Sequence, residues 1–513
     1  MKNKGFVKGA IILIAFNLIG KIIGAVYRIP LANMLGSVGI GQYQLVFPLY
    51  SLLLAISTSG IPVAISKLVA EYNSKNQFEN SKRLLKLSLC YLFLISLFCA
   101  AVVVILSKFI AGLQGNSGIY FCYYAIAPAI LFVGLLSVFR GYFQGNLLMF
   151  PTAVSSLIEQ VFKLAFGLFL VSKFISKGIV FGVFGALLAI SISELLALVF
   201  LGIYYLFYRK NTQKSDIIAL SKRDISKQLI STALPITLGG LAAPITAIID
   251  SLLVVNLLIF SGHNANGATS LLGLQSGIVE PLINIPIIIS VSISASLLPN
   301  LTTSFVKKNH NEVKNQIEKA FQITLSVALS CSVCFVVFGK QIISFLYAES
   351  LTNAELLISI KLLFLGGINL LLLSLVQVSA GILQGMGKQK FTAKTIIIGS
   401  IIKIILTSLL VSIKSIGIFG AMVSGALGYL VIFLMNYKAI KVESQARISN
   451  IIYNISIQEC FVCLFAFFSN MLFKMAFGDN IALFAGGITA VIIFVVTYYE
   501  LFLIDRQNKI ISA

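Results

Sequence analysis

The chain of 513 residues has no tryptophan, two histidines and 17 acidic residues. Each shortage excludes a class of protein. With His263 and His310 as the only imidazoles, both in short polar stretches, a histidine-based metal centre finds no support. Charged residues make up 11% of the chain, far too few to cover a soluble protein of this size. There is no Gly-x-x-x-x-Gly-Lys-Ser/Thr loop; Gly385-Met-Gly387-Lys388-Gln389 fails both the spacing and the hydroxyl, which argues against ATP hydrolysis. The longest polar stretch, Arg209 to Gln228, is too short for a catalytic domain, so the chain does not read as an enzyme. Without tryptophan, tyrosine and lysine are left to anchor the membrane interfaces.

What is present is apolar: 58% of the residues, with a mean hydropathy of +1.00. Apolar runs long enough to cross a bilayer recur along the whole length, and strand-like alternation is lacking. The chain therefore reads as an all-α polytopic membrane protein. Fourteen helices are predicted, near 6–30, 42–70, 84–106, 119–143, 150–172, 178–207, 229–256, 270–303, 318–339, 355–385, 391–412, 416–440, 450–474 and 480–504. The first run is longer than a signal-peptide core and lacks an A-x-A site, so it reads as a retained span. Cys331-x-x-Cys334 and Cys460-x-x-Cys463 lie inside apolar runs and read as packing residues.

The net charge of +21 divides unevenly. Loops on one predicted side carry 25 Lys and Arg, those on the other side six. The positive-inside rule then places both termini in the cytoplasm, and membrane topology rather than nucleic acid accounts for the charge.

The chain also repeats itself. Gly141-Tyr-Phe-Gln144-Gly145 returns as Gly381-Ile-Leu-Gln384-Gly385. At the same offset Lys163 matches Lys403, and Leu170-Val171-Ser172 matches Leu410-Val411-Ser412. Gly182-Val-Phe184-Gly185-Ala186 then matches Gly417-Ile-Phe419-Gly420-Ala421, and Lys75-Asn76-x-x-Glu79 faintly matches Lys308-Asn309-x-x-Glu312. The repeat predicts two pseudo-symmetric six-helix lobes, residues 1–207 and 229–441, joined by a cytoplasmic linker, 208–228. Residues 442–513 supply two further helices.

An ionised side chain at mid-bilayer costs at least ~2.5–3.5 kcal/mol, so charges at that depth point to a cavity or a partner. Lys21 and Arg28 are seven residues apart on one face of the first helix, beside Gly20 and Gly24. Glu159 and Lys163 stand one turn apart in the favourable acid-before-base order, predicting either a self-neutralising pair or a cavity lining. Lys403 has Gly399 one turn before it instead of an acid on its own helix. Asp250 follows Pro235 and Pro244, and Glu280 precedes Pro281 and Pro286; either acid is a candidate for ion coupling or for charge pairing. Lys21, Arg28, Lys163 and Lys403 are candidates to hold a phosphate. Arg140 and Glu194 have no partner that the sequence identifies.

Phe139-Arg140-Gly141-Tyr142-Phe143-Gln144-Gly145, Pro151-Thr152 and Glu159-Gln160 resemble the stage V sporulation protein B branch of the multidrug/oligosaccharidyl-lipid/polysaccharide flippase superfamily. Gly273-Leu-Gln-Ser-Gly277, Pro281-Leu-Ile-Asn-Ile-Pro286 and Ser296-Leu-Leu-Pro299 carry the same likeness, which covers essentially the whole chain. The branch is akin to MurJ-type lipid II flippases. The resemblance implies export of an undecaprenyl-pyrophosphate-linked saccharide, lipid II foremost, for cell-wall or spore peptidoglycan. It implies alternating access in the cytoplasmic membrane, with cell-wall synthases and membrane lipids as partners. No cofactor is implied beyond Na+, H+ or the membrane potential as energy source. The basic residues that MurJ-type proteins use on helix 1 map onto Lys21 and Arg28. Their arginines on helices 2 and 8 have no equivalent: helix 2 has no basic residue before Lys67, and helix 8 has Glu280. A cation-coupled multidrug antiporter of the same fold is the alternative, and a membrane scaffold without transport is a third reading.

Overall fold

The computed structural model describes residues 2–58, 60–209 and 220–444, with Ile455, 463–465, 467–469 and Met471 beyond them. The middle of the linker and nearly all of the helices predicted at 450–474 and 480–504 lie outside the described residues. Among the described residues every regular element is helical. Lipid offers no partner for backbone N–H and C=O groups, and a helix pairs them within one segment. Among the described residues ten segments are long and apolar enough to cross a membrane.

The helices are α1 (Lys2–Thr58), α2 (Ile61–Ser74), α3 (Phe78–Leu113), α4 (Tyr120–Gly145), α5 (Met149–Phe174), α6 (Ile179–Arg209), α7 (Lys222–Gly240), α8 (Ala242–Phe260), α9 (Ala265–Leu272), α10 (Glu280–Val306), α11 (His310–Tyr347), α12 (Asn353–Gly385), α13 (Gln389–Val411) and α14 (Ile418–Ser444).

Several predicted boundaries move. The first two predicted helices are not separated by a loop. α1 is two helical stretches that meet at a kink at Gly36, whose non-helical φ of 67° and ψ of −179° only glycine adopts readily. The second predicted helix is instead interrupted near Gly60, and α2 restarts with Pro62 in its first turn, where the missing N–H costs nothing. The seventh prediction divides into α7 and α8. The eighth divides into α9, a π-helical stretch Gly273–Val279, and α10. Pro244 and Pro281 fall in the first turns after these two interruptions.

The chain forms two compact units, Met1–Gly273 and Leu274–Ala513. In the first, α5 and α4 pack on α6, α3 on α4, and α1 on α5. α7 belongs to this unit: Ile225, Leu229 and Ala233, each one turn apart, are buried with Leu68, Val69, Leu84 and Leu85 of α2 and α3. In the second unit α12 packs on α10, α11 and α14, and α13 on α14. Phe98, Ile105 and Phe109 of α3 are largely exposed, as expected of a lipid-facing surface.

The sequence repeat is a packing repeat. Gly141 and Gly145 of α4 press on Pro62, Ser66 and Val69 of α2; Gly381 and Gly385 of α12 press on Ser294 and Leu301 of α10. Gly185 of α6 meets the backbone of Leu170, and Gly420 of α14 meets that of Leu410. The helix ends repeat as well. α2 and α4 close with Gln77 N to Tyr72 O and Leu148 N to Phe143 O; α10 and α12 close with Asn309 N to Ser304 O and Lys388 N to Leu383 O. Each closure is a Schellman ending whose next-to-last residue is left-handed: Asn76, Leu147, Lys308 and Gly387. Asn76 therefore corresponds to Lys308, not to Asn309. The sequence match Lys75-Asn76 with Lys308-Asn309 is one residue out of register.

Candidate functional site

α1 and α5 run side by side in parallel, and small residues set their separation. A Cβ on Gly20 would lie 3.4 Å from Gln160 Cγ, and one on Gly24 would lie 3.1 Å from Gln160 Oε1. One to two turns further along, Tyr27 lies against Gly167. This register puts Lys163 of α5 at a depth between Lys21 and Arg28 of α1. The structure thus brings Lys21, Arg28, Glu159 and Lys163 to one region of the first unit. Lys21 is exposed, and Arg28, Glu159 and Lys163 are half-buried. The Arg28 guanidinium carbon lies 6.0 Å from the ring centre of Phe47. Phe47 continues an aromatic row on the second half of α1, stacked on Tyr43 at 5.5 Å and 5.8 Å from Tyr50.

The expected local pair is absent. Glu159 Oε2 is 3.1 Å from a terminal nitrogen of Arg140 on α4, and its Oε1 accepts a hydrogen bond from Gln160 Nε2 at 2.8 Å. Among the described residues no ion pair joins Glu159 to Lys163. The guanidinium offers a fork of donors and is already oriented by Ser155, whose Oγ accepts from Arg140 Nε at 3.1 Å. Among the described residues the Lys163 ammonium on its flexible stem has no comparable anchor.

Sequence reasoning also passed over Glu194 on α6. It is 3% exposed and accepts a hydrogen bond from Tyr50 at 3.4 Å. Its Oε2 has no hydrogen-bond partner among the described residues. Its charged neighbours are Glu159, Arg140 and Lys163. A carboxyl in the middle of a long apolar helix was the available signal.

Asp250 lies half-buried on α8 of the first unit and takes part in an interaction of its own. Glu280 and Lys403 belong to the second unit. Glu280 opens α10 and accepts a hydrogen bond from Gln275 Nε2 at 3.3 Å. Lys403 sits where α13 crosses α14, its Cβ 3.1 Å from the place a Cβ on Gly428 would take. Lacking an acid one turn back does not leave Lys403 bare, since it too takes part in an interaction. No group of three or more His, Cys, Asp or Glu with metal-binding geometry occurs among the described residues.

A set of donors at membrane depth, cationic on balance, suits an anionic or phosphate-bearing group better than a cationic one. Comparisons with known proteins bear on this. The chain matches the family described as "Polysaccharide biosynthesis protein" over residues 6–305 and the MatE family over 235–409. It is 30% identical over 456 residues to the lipid II flippase MurJ of Bacillus subtilis (strain 168), covering 85% of this chain and 82% of that protein. It is 26% identical to stage V sporulation protein B of the same organism, over 85% and 83% of the two chains. Among solved structures, lipid II flippase MurJ in an inward closed conformation superposes with a TM-score of 0.74 at 16% identity, covering 96% of this chain and all of that one. An inward-facing MATE-family multidrug transporter of the MOP superfamily superposes at 0.65, also at 16% identity, over 85% and 99%.

Proposed function

This chain belongs to the polysaccharide biosynthesis protein family, within the MOP superfamily of flippases and transporters, and from that premise we propose that it flips an undecaprenyl-pyrophosphate-linked saccharide across the bacterial cytoplasmic membrane. Lipid II is the first candidate cargo, and the movement is by alternating access. The observation that carries the reading is the basic face of α1 and α5, where Lys21, Lys163 and Arg28 follow one another in depth. A diphosphate at mid-bilayer needs such donors, because nothing else there replaces its hydration. Lys403 is the corresponding candidate in the second unit. With the cell interior negative, outward movement of each negative charge is favoured by about 2.3 kcal/mol per 100 mV. The relation to MurJ supports lipid II, and the sporulation relative supports a spore-wall variant of the same cargo.

The test is rescue of a bacterium depleted of its own lipid II flippase, together with a vesicle flipping assay. Wild type restores growth, and Lys21→Ala/Arg28→Ala loses rescue and flipping at least tenfold. Full rescue by that double variant would remove the basic face from the mechanism.

The MatE match over residues 235–409, which includes Asp250 and Glu280, favours a second reading: a cation-coupled multidrug antiporter. Drug resistance on overexpression that Asp250→Asn abolishes, with no rescue of flippase depletion, would select it.

A further inference from the structure

Glu159 stands among cations as an oxyanion would. One carboxylate oxygen takes a guanidinium N–H from Arg140 at 3.1 Å, and the other takes the side-chain amide of Gln160 at 2.8 Å. Gln160 is seated against Gly20 and Gly24 of α1, so the amide is fixed by the same helix that carries Lys21 and Arg28. Arg140 is held from behind by Ser155, which in turn donates to Thr152 O at 2.7 Å. The Arg140–Glu159 contact is made through one terminal nitrogen. The other terminal nitrogen makes no hydrogen bond among the described residues. A guanidinium binds best when both arms of its fork are used, and a phosphate offers two acceptors where this carboxylate gives Arg140 only one oxygen.

We propose that Glu159 is an internal stand-in for the cargo's diphosphate. The incoming anion displaces its carboxylate from Arg140, and Arg140 and Gln160 become ligands of the diphosphate. The proposal rests on the anionic-cargo reading above and deepens it by assigning Arg140 to the cargo. The displaced carboxylate is not left uncompensated. Lys163 is one turn further along α5, in the order that favours a Glu-to-Lys pair. The pair that sequence spacing predicts is, on this view, the pair of the loaded state. An empty transporter keeps Arg140 neutralised in lipid, and cargo of too little negative charge cannot dislodge Glu159. Glu159 and Gln160 thus become specificity-determining residues.

The experiment measures binding of inorganic pyrophosphate and of farnesyl diphosphate to the purified full chain in detergent by calorimetry. Glu159→Gln keeps the shape and removes the competing charge; diphosphate affinity should rise at least fivefold. Arg140→Gln should lower it at least fivefold. In the Arg140→Gln background, Glu159→Gln should add little, because there is no guanidinium left to release. If Arg140→Gln does not yield folded protein, Arg140→Lys, which keeps the charge and loses the fork, should show the same direction with a smaller loss. Unchanged or weaker binding by Glu159→Gln overturns the proposal, and so does a gain that persists undiminished without Arg140. If that happens while Lys21→Ala/Arg28→Ala still weakens diphosphate binding, the cargo reading survives and only the stand-in falls. If wild type and every variant bind neither diphosphate, both fall.

Discussion

Leu147 holds a backbone conformation, φ 60°, that its equivalent in the second copy, Gly387, holds at φ 78°. Both close a helix by the same Schellman bonds. A side chain with a Cβ in the left-handed region costs roughly 1–2 kcal/mol, and glycine carries no such penalty. Leu147→Gly is therefore expected to leave the fold intact and to gain about 0.5–1 kcal/mol, after the extra freedom of glycine in the unfolded chain is counted. Gly387→Leu should lose about 1–2 kcal/mol. Thermal unfolding of the purified protein in detergent measures both; no gain from the first and no loss from the second would mean that the left-handed turn carries no strain. The same scale explains why Glu159 pairs with Arg140 in this structure. Spacing on one helix offers Lys163 as its partner, yet a fork anchored by Ser155 on a neighbouring helix outcompetes a flexible ammonium on its own.

At the scale of the element, the glycines of the repeated motif are contact points between helices. A Cβ on Gly381 would overlap Ser294 Oγ, and one on Gly141 would meet Pro62 O at 2.7 Å. In lipid, helices associate through close packing and not through the hydrophobic effect, so such contacts carry much of the helix pairing. Gly381→Leu is expected to cost about 1–3 kcal/mol by overpacking. Gly202→Ala on α6, where nothing lies within 4 Å, should be neutral or stabilising by up to about 1 kcal/mol. The shift of thermal midpoint compares the two, and similar shifts would show that the motif is not a packing device. Helix breaks were the least legible elements. Gly36 and Gly60 look alike in the sequence, yet the first breaks the helix at a single kinked residue and the second lies in the interruption before α2. Their surroundings differ: Gly36 takes a positive φ with nothing within 4 Å of a Cβ among the described residues, whereas α7 backbone at Ala233 and Thr237 crowds Gly60.

At the scale of the whole molecule, the uneven distribution of Lys and Arg predicts orientation. With the seven native cysteines replaced by alanine, Lys222→Cys should react with an impermeant thiol reagent only from the cytoplasmic side. Lys177→Cys should react only from outside. The reverse pattern would invert the assignment of both termini to the cytoplasm. α7, α8 and α9 pack within the first unit although they follow the linker, because Ile225, Leu229 and Ala233 present an apolar stripe that α2 and α3 bury.

Sequence by itself determined that this is a helical membrane protein with an internal repeat, since hydropathy and self-similarity are properties of the chain alone. It also brought Lys21, Arg28, Glu159 and Lys163 to notice, because charge in an apolar run is costly wherever the run packs. Tertiary structure alone decided that Arg140 neutralises Glu159, that Gln160 fits between Gly20 and Gly24, and that α7 belongs to the first unit. Each of these is a contact between helices distant in sequence. Periodicity fixes which residues share a face of one helix, and only packing fixes which face meets which.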